Sequence, residues 1–282
     1  MQIGVNTWVW TSPLTDADVP VLAAKAAAMG FDLLELPLET IAGYDVDNAR
    51  RVLADHGLAA SSTLVFPPDR DLIHPEPEPR ANAAAYIRAA IDAAATLGSR
   101  TLSGPLFASV GRCWQQTAAD RERDLETLVA ALAPLAGHAA DSGVRLGIEP
   151  LNRFETSFVN VAAQAVEIVD RVASPGLGIL LDTFHMNVEE KSLGDAIRTA
   201  GHRLCHLHAC ENDRGAPGSG HVPWDEVATA LRAVDFQGPV VIESFTDQVK
   251  TIARAAAVWR PVATSQDALA SAGGAFLREL LG

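Results

Sequence analysis

The chain has 282 residues, a mass of 29.8 kDa, 48% hydrophobic residues and a mean hydropathy of +0.12. Its 22 Lys and Arg against 35 Asp and Glu give a net charge of −13, which disfavours nucleic acid, because clustered basic residues hold a phosphate backbone. No apolar run approaches the ~20 residues of a membrane-spanning helix, and no Lys or Arg precedes Lys25, as a signal peptide would require. We expect a folded cytoplasmic protein with no membrane partner.

The first half of the chain alternates short apolar runs with Ala-rich stretches of helical spacing. The predicted strands cover 3–8, 31–38, 58–66 and 100–106, and the predicted helices cover 16–29, 46–56, 80–97 and 118–141. A polar, Pro-rich loop at 67–79 separates the third strand from the next helix. Its length predicts a lid over a site.

The second half repeats this alternation. The predicted strands cover 144–148, 177–181, 204–208 and 239–242, and the predicted helices cover 160–172, 193–200, 225–234, 249–259 and 268–281. Eight strand and helix units, with no Gly-rich phosphate fingerprint after the first strand, favour a closed barrel over an open sheet. We predict an α/β fold, a (β/α)8 TIM barrel that forms a single domain over 1–282. The Gly-rich segment 215–220 is predicted to be a flexible active-site loop.

Polar side chains end the strands of the second half. They are Glu149, Asp182, His208 and Glu243. The steps between them are 182−149=33, 208−182=26 and 243−208=35 residues, each about one βα unit of roughly 30 residues. Because the carboxyl ends of parallel strands meet at one mouth of a barrel, the four side chains are predicted to converge there.

Three carboxylates and one imidazole suit a metal ion. Like charges drawn together are costly unless a cation neutralises them, and three oxygen donors with one nitrogen suit Mn²⁺, Co²⁺ or Mg²⁺. Any one residue alone would be read as an ordinary polar loop residue. His185 is expected to share their cavity, whereas His206 is expected to face away from His208 and to pack elsewhere. The three cysteines lack zinc-type spacing and are expected to be reduced thiols.

Five segments carry a family resemblance. They read GIEPLNRFE, LDTFHMN, HLHACENDRG, PGSGHVPWDE and GPVVIESF. Together they resemble the ketose 3-epimerases, the D-tagatose, D-allulose (D-psicose) and L-ribulose 3-epimerase group of the xylose-isomerase-like barrel superfamily. The order of segments agrees from the first strand to the last, and the motifs are most specific in the carboxyl-terminal half.

The resemblance implies a role for each matching residue. It makes Glu149, Asp182, His208 and Glu243 the ligands of a divalent metal, most often Mn²⁺, and makes Glu149 and Glu243 also the acid/base pair. It implies that the oxygens at carbons 1 to 3 of the sugar are bound by Glu155, His185 and Arg214, and that the substrate is flanked by Trp114 and Phe245. It also implies a homodimer or homotetramer.

The implied reaction is epimerisation of a free ketose at carbon 3. The hydrogen on carbon 3 lies next to the carbonyl at carbon 2, so its removal gives a cis-enediolate that a metal can stabilise. One carboxylate takes the proton from one face, and the other returns a proton to the opposite face.

Three other readings stay open at this stage. An aldose–ketose or hydroxypyruvate isomerase of the same superfamily would move the proton between carbons 1 and 2. A metal-dependent endonuclease on the same barrel would need more histidine ligands and a basic groove, which the net charge of −13 disfavours. A noncatalytic sugar-binding barrel would not need both carboxylates of the acid/base pair.

Overall fold

Eight parallel strands pair in chain order, and the last strand pairs with the first to close a barrel. The computed structural model describes residues 1–282. The strands are β1 (Ile3–Asn6), β2 (Leu33–Pro37), β3 (Ala59–Thr63), β4 (Thr101–Gly104), β5 (Arg145–Ile148), β6 (Leu177–Asp182), β7 (Leu204–Ala209) and β8 (Val240–Ile242). Closure places Val240 opposite Ile3. The chain is therefore a (β/α)8 TIM barrel, which confirms the predicted fold class.

Ten α-helices lie between and after the strands. They are α1 (Asp18–Ala28), α2 (Val46–Asp55), α3 (Pro77–Leu97), α4 (Ala118–Asp141), α5 (Ala162–Val172), α6 (Thr183–Glu189), α7 (Leu193–Ala200), α8 (Trp224–Ala233), α9 (Lys250–Ala255) and α10 (Gln266–Leu281). None of them is long and apolar enough to cross a membrane.

Three local features differ from the sequence prediction. The helix α3 begins at Pro77, inside the predicted 67–79 loop, because proline is tolerated in a first helical turn where its missing N–H has no partner to lose. The helix α9 is shorter than the predicted 249–259, and Ala257 just beyond it adopts a left-handed φ of 53° that a helix cannot continue. The short α6 was not predicted.

The first strand is also shorter than predicted, since it gives way to a 3₁₀ turn over Thr7–Val9. The side-chain oxygen of Asn6 accepts a hydrogen bond from the backbone N–H of Trp8 at 2.8 Å, which caps the turn. The turn places Trp8 at the carboxyl-terminal mouth of the barrel, in the wall of the cavity described below.

The apolar core and the barrel interior differ in character. A cluster of 70 buried residues, contributed by strands and helices, supplies the apolar core. Within the barrel, by contrast, Glu35 of β2 contacts Ser61 of β3 and both histidines of β7, and all four side chains are fully or almost fully buried. A charged layer therefore lies inside the barrel beneath the carboxyl-terminal mouth.

The 67–79 loop packs against the loop that follows β4. The backbone N–H of Leu72 donates to the carbonyl of Phe107 at 3.0 Å, and Asp71, Leu72 and Ile73 are all buried. The guanidinium of Arg112 lies 3.4 Å from Asp71 and 3.1 Å from Asp124 of α4. Arg112 thus connects the 67–79 loop to α4.

Candidate active site

The four predicted metal ligands meet at the carboxyl-terminal mouth of the barrel. Glu149 follows β5, Asp182 ends β6, His208 lies near the end of β7 and Glu243 follows β8. One ligand atom from each of the four lies within 4.8 Å of those of the other three, and all four side chains are buried. The regular βα repeat thus brings together residues that are up to 94 positions apart (243−149=94).

The chemistry of this cluster fits a divalent cation. Nδ1 of His208 and Oε1 of Glu149 are buried atoms with no hydrogen-bond partner, although buried polar atoms are normally satisfied. Three carboxylates face a single guanidinium, that of Arg214, so the acidic charge exceeds the basic charge near it. Oxygen donors with one imidazole nitrogen are the set that Mn²⁺, Co²⁺ and Mg²⁺ accept.

Arg214 reaches into this cluster from the turn that follows β7. Its Nη1 lies 2.5 Å from Oδ2 of Asp182 and 2.9 Å from Oε2 of Glu243. Its backbone has a left-handed φ of 67°, and the hydroxyl of Ser244 donates to its carbonyl at 2.6 Å. A bulky residue held in this conformation is uncommon and costs energy, so the surrounding hydrogen bonds must hold the turn.

The Gly-rich 215–220 segment is anchored by a buried carboxylate. Glu211 is fully buried and accepts hydrogen bonds from the backbone N–H groups of Gly218 and Val222, at 2.9 and 3.2 Å, and from Nε1 of Trp224 at 2.7 Å. The sequence predicts a flexible loop here. The structure instead shows a segment fastened at both ends, beside the turn that carries Arg214.

Donors from two residues face the ring of His185. The backbone N–H and the side-chain amide of Asn152 both lie at Nδ1 of His185, at 3.1 and 3.0 Å. A backbone N–H can only donate, so Asn152 favours the neutral ring with Nδ1 as the acceptor and the proton on Nε2. Nη2 of Arg214 lies 3.2 Å from Nε2 and can also only donate, so Arg214 opposes that tautomer. Burial, supported by Arg214, lowers the pKa of His185 to about 3, and Nε2 lies 3.8 Å from Glu149.

Asn152 also holds Glu155, the other polar group of this loop. The Asn152 amide donates to Oε1 of Glu155 at 2.8 Å, and its own oxygen accepts from the backbone N–H of Phe154, which fixes the orientation of the amide. Burial raises the pKa of Glu155, against the opposing effect of Arg214. Sequence reasoning noted Asn152 only as a neighbouring polar residue and gave it no role.

The two glutamates of the cluster have pKa values that diverge. Burial raises the pKa of Glu149 well above its usual range, and the charge of Glu243 raises it further. Burial also acts to raise the pKa of Glu243, but His208 and Arg214 outweigh it and lower that pKa to about 2. The surrounding protein groups therefore drive the pKa values of the two carboxyls apart.

A cavity of about 280 Å³ opens beside these residues. Its polar wall contains Glu149, Glu155, His185, Arg214 and Glu243, and its apolar wall contains Trp8, Val65, Phe66, Leu151, Phe245 and Ile252. This volume is at the small end of the range for pockets that take an organic ligand. A polar end facing an apolar end suits a small ligand whose oxygens are concentrated on one side.

The two predicted aromatic residues lie in different places. Phe245 lines the cavity, 5.7 Å from the ring of Trp8, and lies beneath the guanidinium of Arg214 at 5.1 Å. Trp114 does not line it: its ring is 50% exposed and stacks on Arg112 at 4.3 Å. The structure therefore brings Phe245, but not Trp114, to the cluster.

The expectation for His206 was wrong. Residues two apart on a strand point to the same face, and the rings of His206 and His208 are 5.0 Å apart inside the barrel. Both reach Glu35, with Nε2 to carboxylate distances of 3.0 and 2.8 Å. Sequence reasoning placed Glu35 on a strand without a role. Its signal was a single charged residue within the apolar run Leu33–Pro37.

Comparisons with known proteins agree with this geometry. Residues 23–279 match the family model described as a xylose isomerase-like TIM barrel. The chain is 32% identical over 283 residues to the ketose 3-epimerase of Arthrobacter globiformis, an alignment that covers 100% of this chain and 97% of that protein. It is 30% identical over 281 residues to the L-ribulose 3-epimerase of Methylomonas sp., covering 99% and 97%.

A solved structure is similar over the same extent. The D-psicose 3-epimerase from Clostridium cellulolyticum H10, crystallised with D-tagatose, superposes with a TM-score of 0.90 at 30% sequence identity. The match covers 100% of this chain and 99% of that one. Sequence and structure together show that the chain belongs to the ketose 3-epimerase family, a group of isomerase-class enzymes among the xylose isomerase-like TIM barrels.

Proposed function

We propose that the chain epimerises free ketoses of the D-tagatose, D-fructose/D-allulose and L-ribulose class at carbon 3, through a cis-enediolate. The observation that carries the proposal is the cluster of Glu149, Asp182, His208 and Glu243, beside a small cavity, in a chain of this family. The relatives named ketose and L-ribulose 3-epimerase support the reacting carbon.

Glu149 and Glu243 form the acid/base pair. They follow different strands, β5 and β8, so they can approach a sugar from different sides. The ionised Glu243 carboxylate would take the proton from carbon 3. The Glu149 carboxyl would deliver a proton to the opposite face, and in the reverse reaction the two exchange roles.

His185, Arg214 and Glu155 bind the oxygens at carbons 1 to 3. The Nε2–H of neutral His185 and the guanidinium of Arg214 are donors placed where negative charge develops during proton removal. Glu155, held by Asn152, accepts a hydrogen bond from a sugar hydroxyl. Phe245 covers the apolar side of the substrate from the cavity wall. Trp114, to which the family resemblance gives the same role, lies outside that wall and is not assigned to it.

The four ligands hold a divalent metal, with Mn²⁺ preferred and Co²⁺ or Mg²⁺ as alternatives. When bound, the cation would supply Lewis-acid stabilisation of the charge on the oxygens at carbons 2 and 3. Supporting observations are the buried unpartnered atoms of His208 and Glu149 and the excess of acidic charge.

A second candidate is an aldose–ketose or hydroxypyruvate isomerase. The match to the xylose isomerase-like TIM barrel family supports this candidate, because that wider family shares the barrel. It would use the same carboxylates on the hydrogen of carbon 1 instead of carbon 3.

Product analysis tests the proposal. Metal-stripped protein is reloaded with Mn²⁺ and incubated with D-fructose, D-tagatose and L-ribulose, and the products are identified by NMR. We expect carbon-3 epimers and loss of activity with a chelator. Formation of an aldose would instead support the isomerase, and no product from any of the three would contradict the proposed substrate class.

A pair of variants separates an enzyme from a sugar-binding barrel. Glu243→Gln should lower kcat by about 10²- to 10⁴-fold while sugar binding persists. The control is Glu190→Gln, since Glu190 accepts a hydrogen bond from the backbone of Ala162 at 2.7 Å and is outside the cavity lining. Equal activity of Glu243→Gln and the control would rule out the acid/base role.

A further inference from the structure

Glu35 is a buried carboxylate outside the proposed ligand set that contacts one of its members. It comes from β2, on the far side of the closed barrel from β7, and it is fully buried. Its Oε2 lies 2.8 Å from Nε2 of His208, and its Oε1 lies 3.0 Å from Nε2 of His206. A charged side chain this deep needs partners, and its strand neighbours supply them.

Three hydrogen-bond donors face the two oxygens of Glu35. Oε2 accepts from Nε2 of His208 and from the amide of Asn6, both at 2.8 Å, and Oε1 accepts from the hydroxyl of Ser61 at 2.8 Å. Nε2 of His206 lies 3.0 Å from Oε1 but makes no hydrogen bond. An ionised carboxylate can accept all three hydrogen bonds, whereas a protonated carboxyl would have to use one position as a donor. The surroundings of Glu35 are therefore built for a carboxylate.

This contact sets which nitrogen of His208 carries a proton. A carboxylate accepts, so Nε2 of His208 must donate to it. In the neutral ring, Nδ1 then keeps its lone pair, and Nδ1 is the atom that lies 3.1 Å from Glu243 and 3.9 Å from Glu149. The same geometry orients His206, whose other nitrogen lies 3.3 Å from the hydroxyl of Thr101.

We propose that Glu35 is a positioning residue that fixes the ring orientation and tautomer of His208 for metal binding, with Asn6 and Ser61 holding Glu35 in place. The proposal rests on the proposed function, in which His208 is a ligand. It extends the site by a side chain from β2, in the half of the barrel opposite the four ligands. Partners of this kind change metal affinity by about 10- to 100-fold in other proteins.

A second metal site at Glu35, His206 and His208 is the rival interpretation, because one donor atom from each lies within 4.8 Å of the others. The 2.8 Å contact between Nε2 of His208 and Oε2 of Glu35 is a hydrogen bond. In addition, Asn6 and Ser61 occupy lone pairs of the same two oxygens. We therefore favour hydrogen bonding, and metal stoichiometry distinguishes the two.

The experiment compares metal binding of the whole protein with and without the Glu35 charge. Mn²⁺ is titrated into metal-stripped wild type and Glu35→Gln by calorimetry, with no sugar present. We expect one ion per chain in the wild type and an affinity about 10- to 100-fold weaker in Glu35→Gln. Unchanged affinity would overturn the proposal. Two ions per chain, reduced to one in the variant, would establish the rival site instead.

Glu211→Gln is the matched control. Glu211 is also fully buried and also accepts hydrogen bonds from several donors, but none of those donors is a proposed ligand. Its Mn²⁺ affinity should stay within about twofold of wild type. If Glu211→Gln weakens Mn²⁺ binding as much as Glu35→Gln does, the removal of any buried charge explains the effect, and the positioning role is overturned.

A second measurement does not depend on the variant folding. ¹⁵N NMR of wild-type protein loaded with diamagnetic Zn²⁺ should show the His208 ring protonated at Nε2 and coordinated through Nδ1. A ring coordinated through Nε2 would contradict the proposal. If the wild type binds no divalent ion at all, the proposed metal site itself fails, which is distinct from the result that binding occurs but ignores Glu35.

Discussion

Two hydrogens of Asn152 point at one atom of His185. The backbone N–H and the side-chain amide of Asn152 lie 3.1 and 3.0 Å from Nδ1, which favours the ring proton on Nε2, the nitrogen that faces the cluster. The Arg214 guanidinium, 3.2 Å from Nε2, acts against this preference. A neutral imidazole with this tautomer can donate a hydrogen bond to a substrate oxygen.

Asn152→Asp should shift that tautomer. The aspartate keeps the shape of the side chain but replaces the amide donor with an acceptor, so only the backbone N–H still favours the proton on Nε2. The new carboxylate draws the ring proton towards Nδ1 and repels Glu155. We expect kcat to fall by up to about 100-fold, comparable to the loss of one donor to an oxyanion, with ¹⁵N NMR showing a larger share of His185 protonated at Nδ1.

The control for this change is Asn160→Asp in the same loop. The Asn160 amide donates to the backbone carbonyls of Leu151 and Thr156, so its loss weakens the loop without touching the imidazole. If Asn152→Asp retains kcat, or if both variants lose it equally, the tautomer has no special role.

The low pKa of His185 makes the metal-stripped fold sensitive to mild acid. Burial lowers this pKa from 6.5 to about 3, so the unfolded chain takes up a proton below pH 6.5 that the folded chain refuses until about pH 3. The contribution is therefore complete above pH 6.5 and is lost as pH falls. Between pH 7 and 5 this group should cost about 2 kcal/mol of unfolding free energy.

Urea unfolding at pH 7 and pH 5 measures this cost. His185→Gln should lose about 2 kcal/mol less than wild type over that interval. The other buried histidines titrate in both proteins, so the comparison isolates His185. An identical pH dependence in the two proteins would show that His185 is not held neutral by the fold.

Replacing Arg112 should destabilise the fold far more than replacing an exposed arginine that also pairs with a carboxylate. Arg112 and Asp71 are both buried, so Arg112→Met leaves the buried Asp71 carboxylate without its charge partner and should cost about 3–5 kcal/mol. Arg123→Met removes the exposed pair with Asp120 and should cost less than about 1 kcal/mol. Urea denaturation measures both, and equal costs would contradict the anchoring of the 67–79 loop.

From the structure we expect opposite effects on catalysis when Phe245 and Trp114 are replaced. Phe245→Leu removes an aromatic wall of the cavity and should lower kcat/KM for the best ketose by about 10-fold. Trp114 lies outside the cavity lining, so Trp114→Leu should change kcat/KM by less than about twofold. Steady-state kinetics of both variants decide the matter, and a large effect at Trp114 would show that its loop closes over the substrate.

The sequence predicted the part of the site that follows the βα repeat. Glu149, Asp182, His208 and Glu243 each stand at or just beyond a strand end, and parallel strands deliver such residues to one mouth of the barrel. The fold class follows from the same periodicity. The extent of a single domain, the homo-oligomer and the cytoplasmic location stay predictions.

The remaining features depend on three-dimensional contacts that no local pattern encodes. Glu35 reaches His208 only because the sheet closes between β1 and β8. The place of Trp114 depends on an irregular loop whose conformation is set by Arg112 and its partners. The Gly-rich 215–220 segment looks flexible by composition, yet Glu211, just beyond β7, holds it through backbone hydrogen bonds.

The measurement that tests the central claim most directly is deuterium incorporation during turnover. Mn²⁺-loaded protein is incubated with D-fructose, D-tagatose or L-ribulose in deuterated water, and the position of the label is read by NMR. The account predicts deuterium at carbon 3 of the epimer. A chelator or the Glu243→Gln substitution should abolish this incorporation. Deuterium at carbon 2 of an aldose product, or at carbon 1 of the recovered ketose, would contradict it.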